Sequence, residues 1–212
     1  MNAINGIICF LINYSHLIFI GYNRFVTLNF IYIFILLLTN SFMETIAALS
    51  YRIISNHGIA EMRQKISNGQ NSLFSLRSYK PGDQIAELSA GTISAEPTYL
   101  TIQVGTRKHI TMQPEFLQYI NHSCDPNVFF DTTAMQVIAL KKIRPEEEMT
   151  FFYPSSEWKM IQPFHCYCGC SDCLGEIKGA AYLSKEAQEK YRFTDFIQQQ
   201  LSKRRRATRK VA

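Results

Sequence analysis

Two polar stretches carry residue types that could perform chemistry at a buried site. One reads Asn-His-Ser-Cys-Asp-Pro-Asn over residues 121–127, between apolar runs at 116–120 and 128–130. The other reads Glu-Glu-Glu-Met-Thr-Phe-Phe-Tyr over residues 146–153. Polar groups beside buried neighbours need hydrogen-bond partners. We therefore expect residues 121–127 to be an internal segment rather than a plain surface loop.

A third stretch is a cysteine cluster, consisting of Cys166, Cys168, Cys170 and Cys173. Cys-x-Cys pairs are too close for an easy disulfide, and the 212-residue chain is not a small secreted scaffold. The spacing favours a metal site, and a closed tetrahedron of thiolates suits zinc. A redox dithiol of Cys170 and Cys173 is the rival interpretation, and His165 is an alternative ligand.

In this order and at this spacing, the three stretches resemble the core and post-SET segments of SET-domain protein lysine methyltransferases. The resemblance covers about residues 65–180 and is strongest over 119–175. It implies a mainly β (α+β) SET fold of several short sheets with a pseudoknot and a C-terminal helix. It also implies an S-adenosyl-L-methionine-dependent enzyme that methylates a lysine side chain of a protein and contains structural zinc.

The resemblance also implies roles for individual residues. Tyr153 is the implied catalytic residue, because its hydroxyl would orient the amine or the methyl group. Ordinary core packing is the alternative for Tyr119, and satisfaction of buried backbone groups is the alternative for Asn121 and His122. The implied zinc ligands are Cys124, Cys166, Cys168 and Cys173. The implied cofactor-binding residues are Asn71, Leu73, Phe74, Tyr119, Asn121 and His122.

The chain departs from the family pattern at several positions. Cys170 adds a cysteine that could shift the ligand set. Gly69 is the single glycine of a turn that usually has two, and Asn71 is expected to tolerate left-handed angles there. Gln118 replaces a common arginine, and Phe152 a common aspartate. These departures support an alternative of another class, a catalytically weak or inactive SET-like, zinc-containing protein-interaction module.

Short strands and turns are predicted to position these residues. Alternating apolar residues and turn signals predict strands at 73–76, 84–88, 91–94, 128–130, 135–140 and 149–152, and a hairpin of 99–104 with 109–111. One helical turn is predicted at 114–119, a short helix around 60–66 and a longer helix at 184–201. Such a series indicates small sheets rather than βαβ units.

The predicted organisation begins with a hydrophobic N-terminal extension over residues 1–43. Its two apolar runs are each shorter than the roughly 20 residues of a membrane span, and it lacks the features of a signal peptide. The extension is interpreted as translated upstream sequence with Met43 as the true start, as a membrane anchor, or as a folded segment. The parts that follow are a SET domain (44–160), a post-SET zinc segment (161–180), a C-terminal helix (181–202) and a basic tail (203–212).

The net charge of +5 comes from the tail, which is predicted to be disordered. The rest of the chain is nearly neutral, which argues against a broad nucleic-acid-binding face. The expected partner is a protein substrate bearing a lysine, histone or non-histone, with membrane attachment only if residues 1–42 are retained. The expected location is cytoplasmic or nuclear, with a membrane-anchored protein less favoured. The basic residues of the tail are Lys203, Arg204, Arg205, Arg206, Arg209 and Lys210.

Overall fold

The computed structural model describes residues 50–209 of the chain. The predictions for the N-terminal extension, including the membrane anchor, and for residues 210–212 lie outside the described residues. Within residues 50–209, no helix combines the length and the apolar composition needed to cross a membrane.

Short strands dominate the described part. They are β1 (Tyr51–Asn56), β2 (Ala60–Lys65), β3 (Asn71–Ser75), β4 (Gln84–Glu87), β5 (Ser89–Ser94), β6 (Thr101–Gly105), β7 (Lys108–Gln113), β8 (Asn121–His122), β9 (Val128–Asp131), β10 (Gln136–Ala139), β11 (Thr150–Phe151), β12 (Phe164–His165) and β13 (Glu176–Ile177). Three three-stranded sheets have the orders β1-β2-β3, β4-β10-β9 and β5-β7-β6, and the two-stranded sheets are β8-β11 and β12-β13. The predicted mainly β fold of several short sheets is confirmed, as are the β6–β7 hairpin and the helical turn at Glu115–Tyr119.

One apolar core joins these sheets. Leu73 of β3, Phe130 of β9 and Val137 of β10 are each fully buried, together with Ile143 and Met149 from the connecting segments. Burying a side chain of this size is worth about 1.5–3 kcal/mol. The core therefore supplies a rigid support for the polar segment at 121–127, which follows the helical turn and precedes β9.

The polar segment lies along residues 148–151. Strands β8 and β11 pair in parallel, and the backbone N–H of Ser123 donates to the carbonyl of Phe151 at 3.1 Å. Asn127 continues the contact, because its Nδ2 donates to the Glu148 carbonyl at 2.8 Å and its Oδ1 accepts from the Thr150 N–H at 2.8 Å. This pairing fixes residues 121–127 against residues 148–151.

The prediction of a short helix at 60–66 was wrong. Ala60–Lys65 forms β2, the central strand between β1 and β3. Its Glu, Met, Arg, Gln and Lys residues favour helices locally, but pairing on both edges overrides that weak preference. Asn71 is likewise part of β3 and not left-handed; the positive φ angle of this turn is that of Gly69, at 72°.

The prediction of one helix at 184–201 was also wrong. The segment forms α1 (Lys185–Lys190) and α2 (Asp195–Arg209). Tyr191 is extended between them, and the Thr194 N–H donates to the Ser155 carbonyl at 3.0 Å. Burial of Tyr191 and Phe193 in a second apolar cluster therefore breaks the helix.

The predicted disorder of the tail is wrong as far as residue 209, because α2 continues through Arg209. Ile197 and Leu201 anchor this helix in the second cluster. Arginine and lysine are good helix formers, and positive charge near a helix C-terminus is favourable.

Replacing Asn127 with alanine should lower the free energy of unfolding by about 2–4 kcal/mol, because buried backbone groups of residues 148–150 lose their partners. Urea denaturation measures the change. The matched control is Asn68→Ala, which removes an exposed hydrogen bond to the Gln70 N–H and should change stability by at most about 0.5 kcal/mol. Equal effects of the two substitutions would show that Asn127 does not hold the segments together.

Candidate functional site

Four cysteines from distant parts of the chain meet in one cluster. The Sγ atoms of Cys124, Cys166, Cys168 and Cys173 all lie within 4.8 Å of one another, and those of Cys124 and Cys166 are 3.9 Å apart. A tetrahedron with Zn–S bonds of about 2.3 Å has S–S edges of about 3.8 Å. Burial raises the pKa of the Cys124 and Cys166 thiols, so a cation is needed to hold them as thiolates. The donor set fits a metal ion such as zinc.

This spatial cluster consists of the four cysteines that were predicted as ligands. Cys170, which belongs to the same stretch of sequence, is not a member of it. The Cys170 Sγ lies 3.4 Å from that of Cys168, on a turn where Gly169 has a φ of 73°. The Leu174 N–H donates to the Cys124 Sγ at 3.4 Å, a contact that favours a thiolate. His165 lies beside a cavity and is not a member of this cluster.

His122 connects the cysteine cluster to Tyr153. Its Nδ1 accepts a hydrogen bond from the Tyr153 N–H at 3.2 Å, and its Nε2 lies 3.4 Å from the Cys124 Sγ. Because Nδ1 is the acceptor, the network assigns the hydrogen to Nε2, which donates to the sulfur. Burial lowers the pKa of His122 to about 4, so the ring is neutral at pH 7.

Two cavities of different character flank Tyr153. A polar cavity of about 610 Å³ is lined by Asn121, His122 and Glu148 on one side and by the 164–168 segment on the other. An apolar cavity of about 310 Å³ is lined by residues such as Ile120, Phe151 and Phe164. Tyr153 lines both cavities. Burial raises the pKa of its hydroxyl to about 12, so it is a neutral hydrogen-bonding group at pH 7.

The predicted cofactor residues divide into two groups. Asn121 and His122 line the polar cavity, and the Asn121 Nδ2 donates to the Asn71 carbonyl at 2.8 Å. The side chains of Leu73 and Phe74 are buried, and that of Tyr119 packs on the core. None of these three, nor Asn71, is among the residues that line the polar cavity.

Two acidic residues at the cavities were missed by the sequence predictions. Glu148 lines the polar cavity, and Glu157 lines the apolar one. The Glu157 Oε1 accepts from the Gln103 N–H at 2.8 Å, and desolvation raises its pKa to about 8. Glu148 lies within the 146–153 stretch, so the sequence motif already included it. No sequence feature marked Glu157 as a site residue, because a single carboxylate in a loop is usually solvated.

Comparison with known proteins identifies the domain. A family model described as the SET domain matches residues 97–154. The chain contains a SET domain. The matched residues include Asn121 and His122, which line the polar cavity, and Tyr153, which lines both cavities.

Similar proteins include curated methyltransferases. The chain is 35% identical over 120 residues to the methyltransferase flvH of Aspergillus flavus, a match that covers 55% of this chain and 66% of the relative. It is 37% identical over 68 residues to the H3 lysine-36 specific histone-lysine N-methyltransferase of Chaetomium globosum, covering 29% of this chain and 8% of the relative. The chain thus spans about two thirds of the length of the first relative and less than a tenth of the second.

Among solved structures, the methyltransferase domain of human histone-lysine N-methyltransferase SETMAR aligns with a TM-score of 0.40 at 17% identity. The alignment covers 61% of this chain and 58% of that domain.

Replacing Cys173 with serine should remove bound zinc from the SET domain and lower its thermal unfolding midpoint, because only three thiolates would remain in the cluster. Metal analysis of the purified protein measures the zinc content. Cys170→Ser is the matched control and should keep one zinc ion per chain. Loss of zinc in the control and retention in Cys173→Ser would reverse the assignment of ligands.

The raised pKa of Glu157 predicts a pH-dependent stability. Between pH 4.5 and 8 the unfolded chain loses this proton while the folded SET domain keeps it, so the group's contribution to stability falls as pH rises. The stability advantage of Glu157→Gln over the wild type should therefore grow with pH across this range, by up to about 1.4 kcal/mol per pH unit. Chemical denaturation at several pH values measures the difference. A difference that is constant with pH would contradict the raised pKa.

Proposed function

We propose that this SET domain is an S-adenosyl-L-methionine-dependent protein-lysine N-methyltransferase with a structural zinc ion. The observation that carries the proposal is the position of Tyr153, a neutral phenol between a polar and an apolar cavity. The polar cavity is suited to a charged cofactor and the apolar cavity to an alkyl chain. The cofactor and the alkyl chain would then meet at the hydroxyl group of Tyr153.

The polar cavity is the proposed cofactor site. Its volume of about 610 Å³ is in the range of small-molecule sites. The side-chain hydrogen bonds of Asn121 found in the described chain all use Nδ2, which leaves Oδ1 for an amino group of the ligand. His122 forms part of the wall, while Asn71, Leu73, Phe74 and Tyr119 are proposed to support it from behind. When bound, the cofactor supplies an electrophilic methyl group on a sulfonium.

The apolar cavity is the proposed lysine site. Its walls of Ile120, Phe151 and Phe164 suit a thin alkyl chain and exclude water from the reacting nitrogen. Methyl transfer to an amine depends on close in-line positioning more than on a strong acid or base. The neutral hydroxyl of Tyr153 can orient the amine and the methyl hydrogens through hydrogen bonds and weak C–H···O contacts.

Phe152, which stands where the family commonly has an aspartate, does not argue against methyltransferase activity. Its ring stacks on Tyr191 with centroids 3.7 Å apart and contacts Phe193, and it lines neither of the two cavities. The aromatic residue therefore serves the packing of the C-terminal segment. No observation of this kind favours the alternative of an inactive interaction module.

The proposed substrate is a protein bearing an accessible lysine. The support is that the relatives include enzymes described as histone-lysine N-methyltransferases, although the chain spans only a small part of their length. The substrate is either a histone or another protein. The proposed location is cytoplasmic or nuclear.

Replacing Tyr153 with phenylalanine should reduce methyl transfer by about 100-fold, because the amine and the methyl group lose their orienting hydroxyl. Transfer of labelled methyl groups to an arrayed library of lysine peptides measures the rate. Calorimetry should find cofactor affinity nearly unchanged.

Tyr182→Phe removes an exposed hydroxyl outside both cavities and should behave as wild type. Full activity of the Tyr153→Phe protein would exclude the proposed role of Tyr153. Cofactor binding by the wild type without transfer to any peptide or protein extract would favour the interaction module.

A further inference from the structure

The apolar cavity contains a single carboxyl group. Among its lining residues only Glu157 is acidic, and none is basic. The other titratable side chains that line it are the phenols of Tyr99 and Tyr153. An isolated acid among apolar walls is uncommon, because burying a carboxylate without a partner is costly.

The carboxyl group of Glu157 is held firmly in place. Its Oε1 accepts from the Gln103 N–H at 2.8 Å, and its own N–H donates to the Tyr153 carbonyl at 3.1 Å. Gln103 returns the contact, since its Oε1 accepts from the Trp158 N–H at 3.0 Å. These bonds tie Glu157 to strand β6 on one side and to the segment of Tyr153 on the other.

A substrate lysine presents a chemical problem to this cavity. Its amine is protonated near pH 7, with an ordinary pKa of about 10.4, and an ammonium group has no lone pair for attack. The amine must therefore lose a proton before methyl transfer, and the apolar walls disfavour the charged form. Tyr153 is a poor acceptor for this proton, because burial raises the pKa of its hydroxyl to about 12, whereas the pKa of Glu157 is raised only to about 8.

Resting on the proposed function, we propose that Glu157 binds the ammonium group of the substrate lysine in the apolar cavity and accepts the proton that it loses before methyl transfer. In this step one N–H bond breaks and one O–H bond forms on the carboxylate. The electron pair stays on nitrogen and becomes the nucleophile, and the proton passes to solvent when the product leaves.

The acidity of Glu157 suits this role. Desolvation raises its pKa to about 8, so a minority of the molecules have an ionised Glu157 at pH 7 and the ionised fraction increases as the pH approaches 8. A carboxylate with an ordinary pKa would be a much weaker acceptor.

A purely structural role is the competing explanation. Glu157 also joins β6 to residues 157–158, so its loss could act only through folding. The two explanations differ in their consequences for pH dependence and for cation binding. If Glu157 had only a structural role, the protein should bind an ammonium group and a neutral alcohol equally well.

The first test compares the pH profile of kcat/KM for wild type and Glu157→Gln, with the best peptide from the library. The wild-type profile should rise with pH and level off above about pH 8. That of Glu157→Gln should be about 100-fold lower at pH 7.5 and keep rising toward the pKa of lysine itself. Glu189→Gln, on the exposed face of α1, is the matched control and should follow the wild type. Superimposable profiles for Glu157→Gln and wild type would overturn the proposal.

The second test does not depend on methyl transfer. At about pH 9, where Glu157 is ionised and an alkylammonium is still charged, n-butylammonium chloride, a mimic of the lysine side chain, should raise the unfolding midpoint of the wild type and of Glu189→Gln more than 1-butanol does. Glu157→Gln should respond equally to the two probes. Equal responses in the wild type would overturn the proposal.

The two tests also separate this proposal from the proposed function. A protein that discriminates the two probes but methylates no peptide would retain the cation site and lose the methyltransferase assignment. A protein that methylates peptides but shows no effect of Glu157→Gln in either test would retain the assignment and lose the role of Glu157.

Discussion

The meeting of four thiols around Cys124 is the constraint on which the rest of the structure depends. Cys124 belongs to the 121–127 segment, whereas Cys166, Cys168 and Cys173 belong to a segment that forms one wall of the polar cavity. That later segment packs Phe164 and Ile177 in a small cluster with Tyr153 and the buried cysteines Cys124 and Cys166. A bound metal ion would add its binding free energy to this packing and help to keep the wall in place.

Cys124 is held from several directions at once. Its sulfur lies within the thiol cluster and receives the Nε2–H of His122, and its carbonyl accepts the hydroxyl of Tyr191 at 2.7 Å. The other nitrogen of His122 fixes the backbone of Tyr153. The ring of Tyr191 stacks on Phe152. The cluster, the C-terminal segment and the hydroxyl between the two cavities are thus coupled through two short segments, residues 122–124 and 152–153.

Local sequence patterns predicted the parts of this structure that local forces determine. Alternating apolar residues and turn signals correctly predicted strands such as β4 and β10 and the hairpin of β6 and β7. The patterns failed where tertiary contacts override them: β2 has the composition of a helix but pairs on both edges, and burial of Tyr191 interrupts a helical pattern. The tail at 203–209 is helical because α2 is anchored upstream by Ile197 and Leu201.

The same division applies to the candidate site. Cys124, Asn121 and Tyr153 lie in compact motifs, so the resemblance to the SET-domain family implied a role for each of them. Leu73 and Phe74 were predicted as cofactor-binding residues from the resemblance, and that prediction still stands; their side chains are buried in β3, a burial that depends on strand register. The pKa of Glu157 is raised because β6 and the walls of the cavity surround the carboxyl group. The neighbouring residues in the sequence do not predict this burial.

X-ray absorption at the zinc K-edge of the purified protein tests the central claim most directly. Four thiolates around one ion predict a single shell of four sulfur atoms at about 2.3 Å. A shell with fewer sulfur atoms, completed by nitrogen or oxygen, or a protein without stoichiometric zinc, would contradict the arrangement that holds Tyr153 between the two cavities.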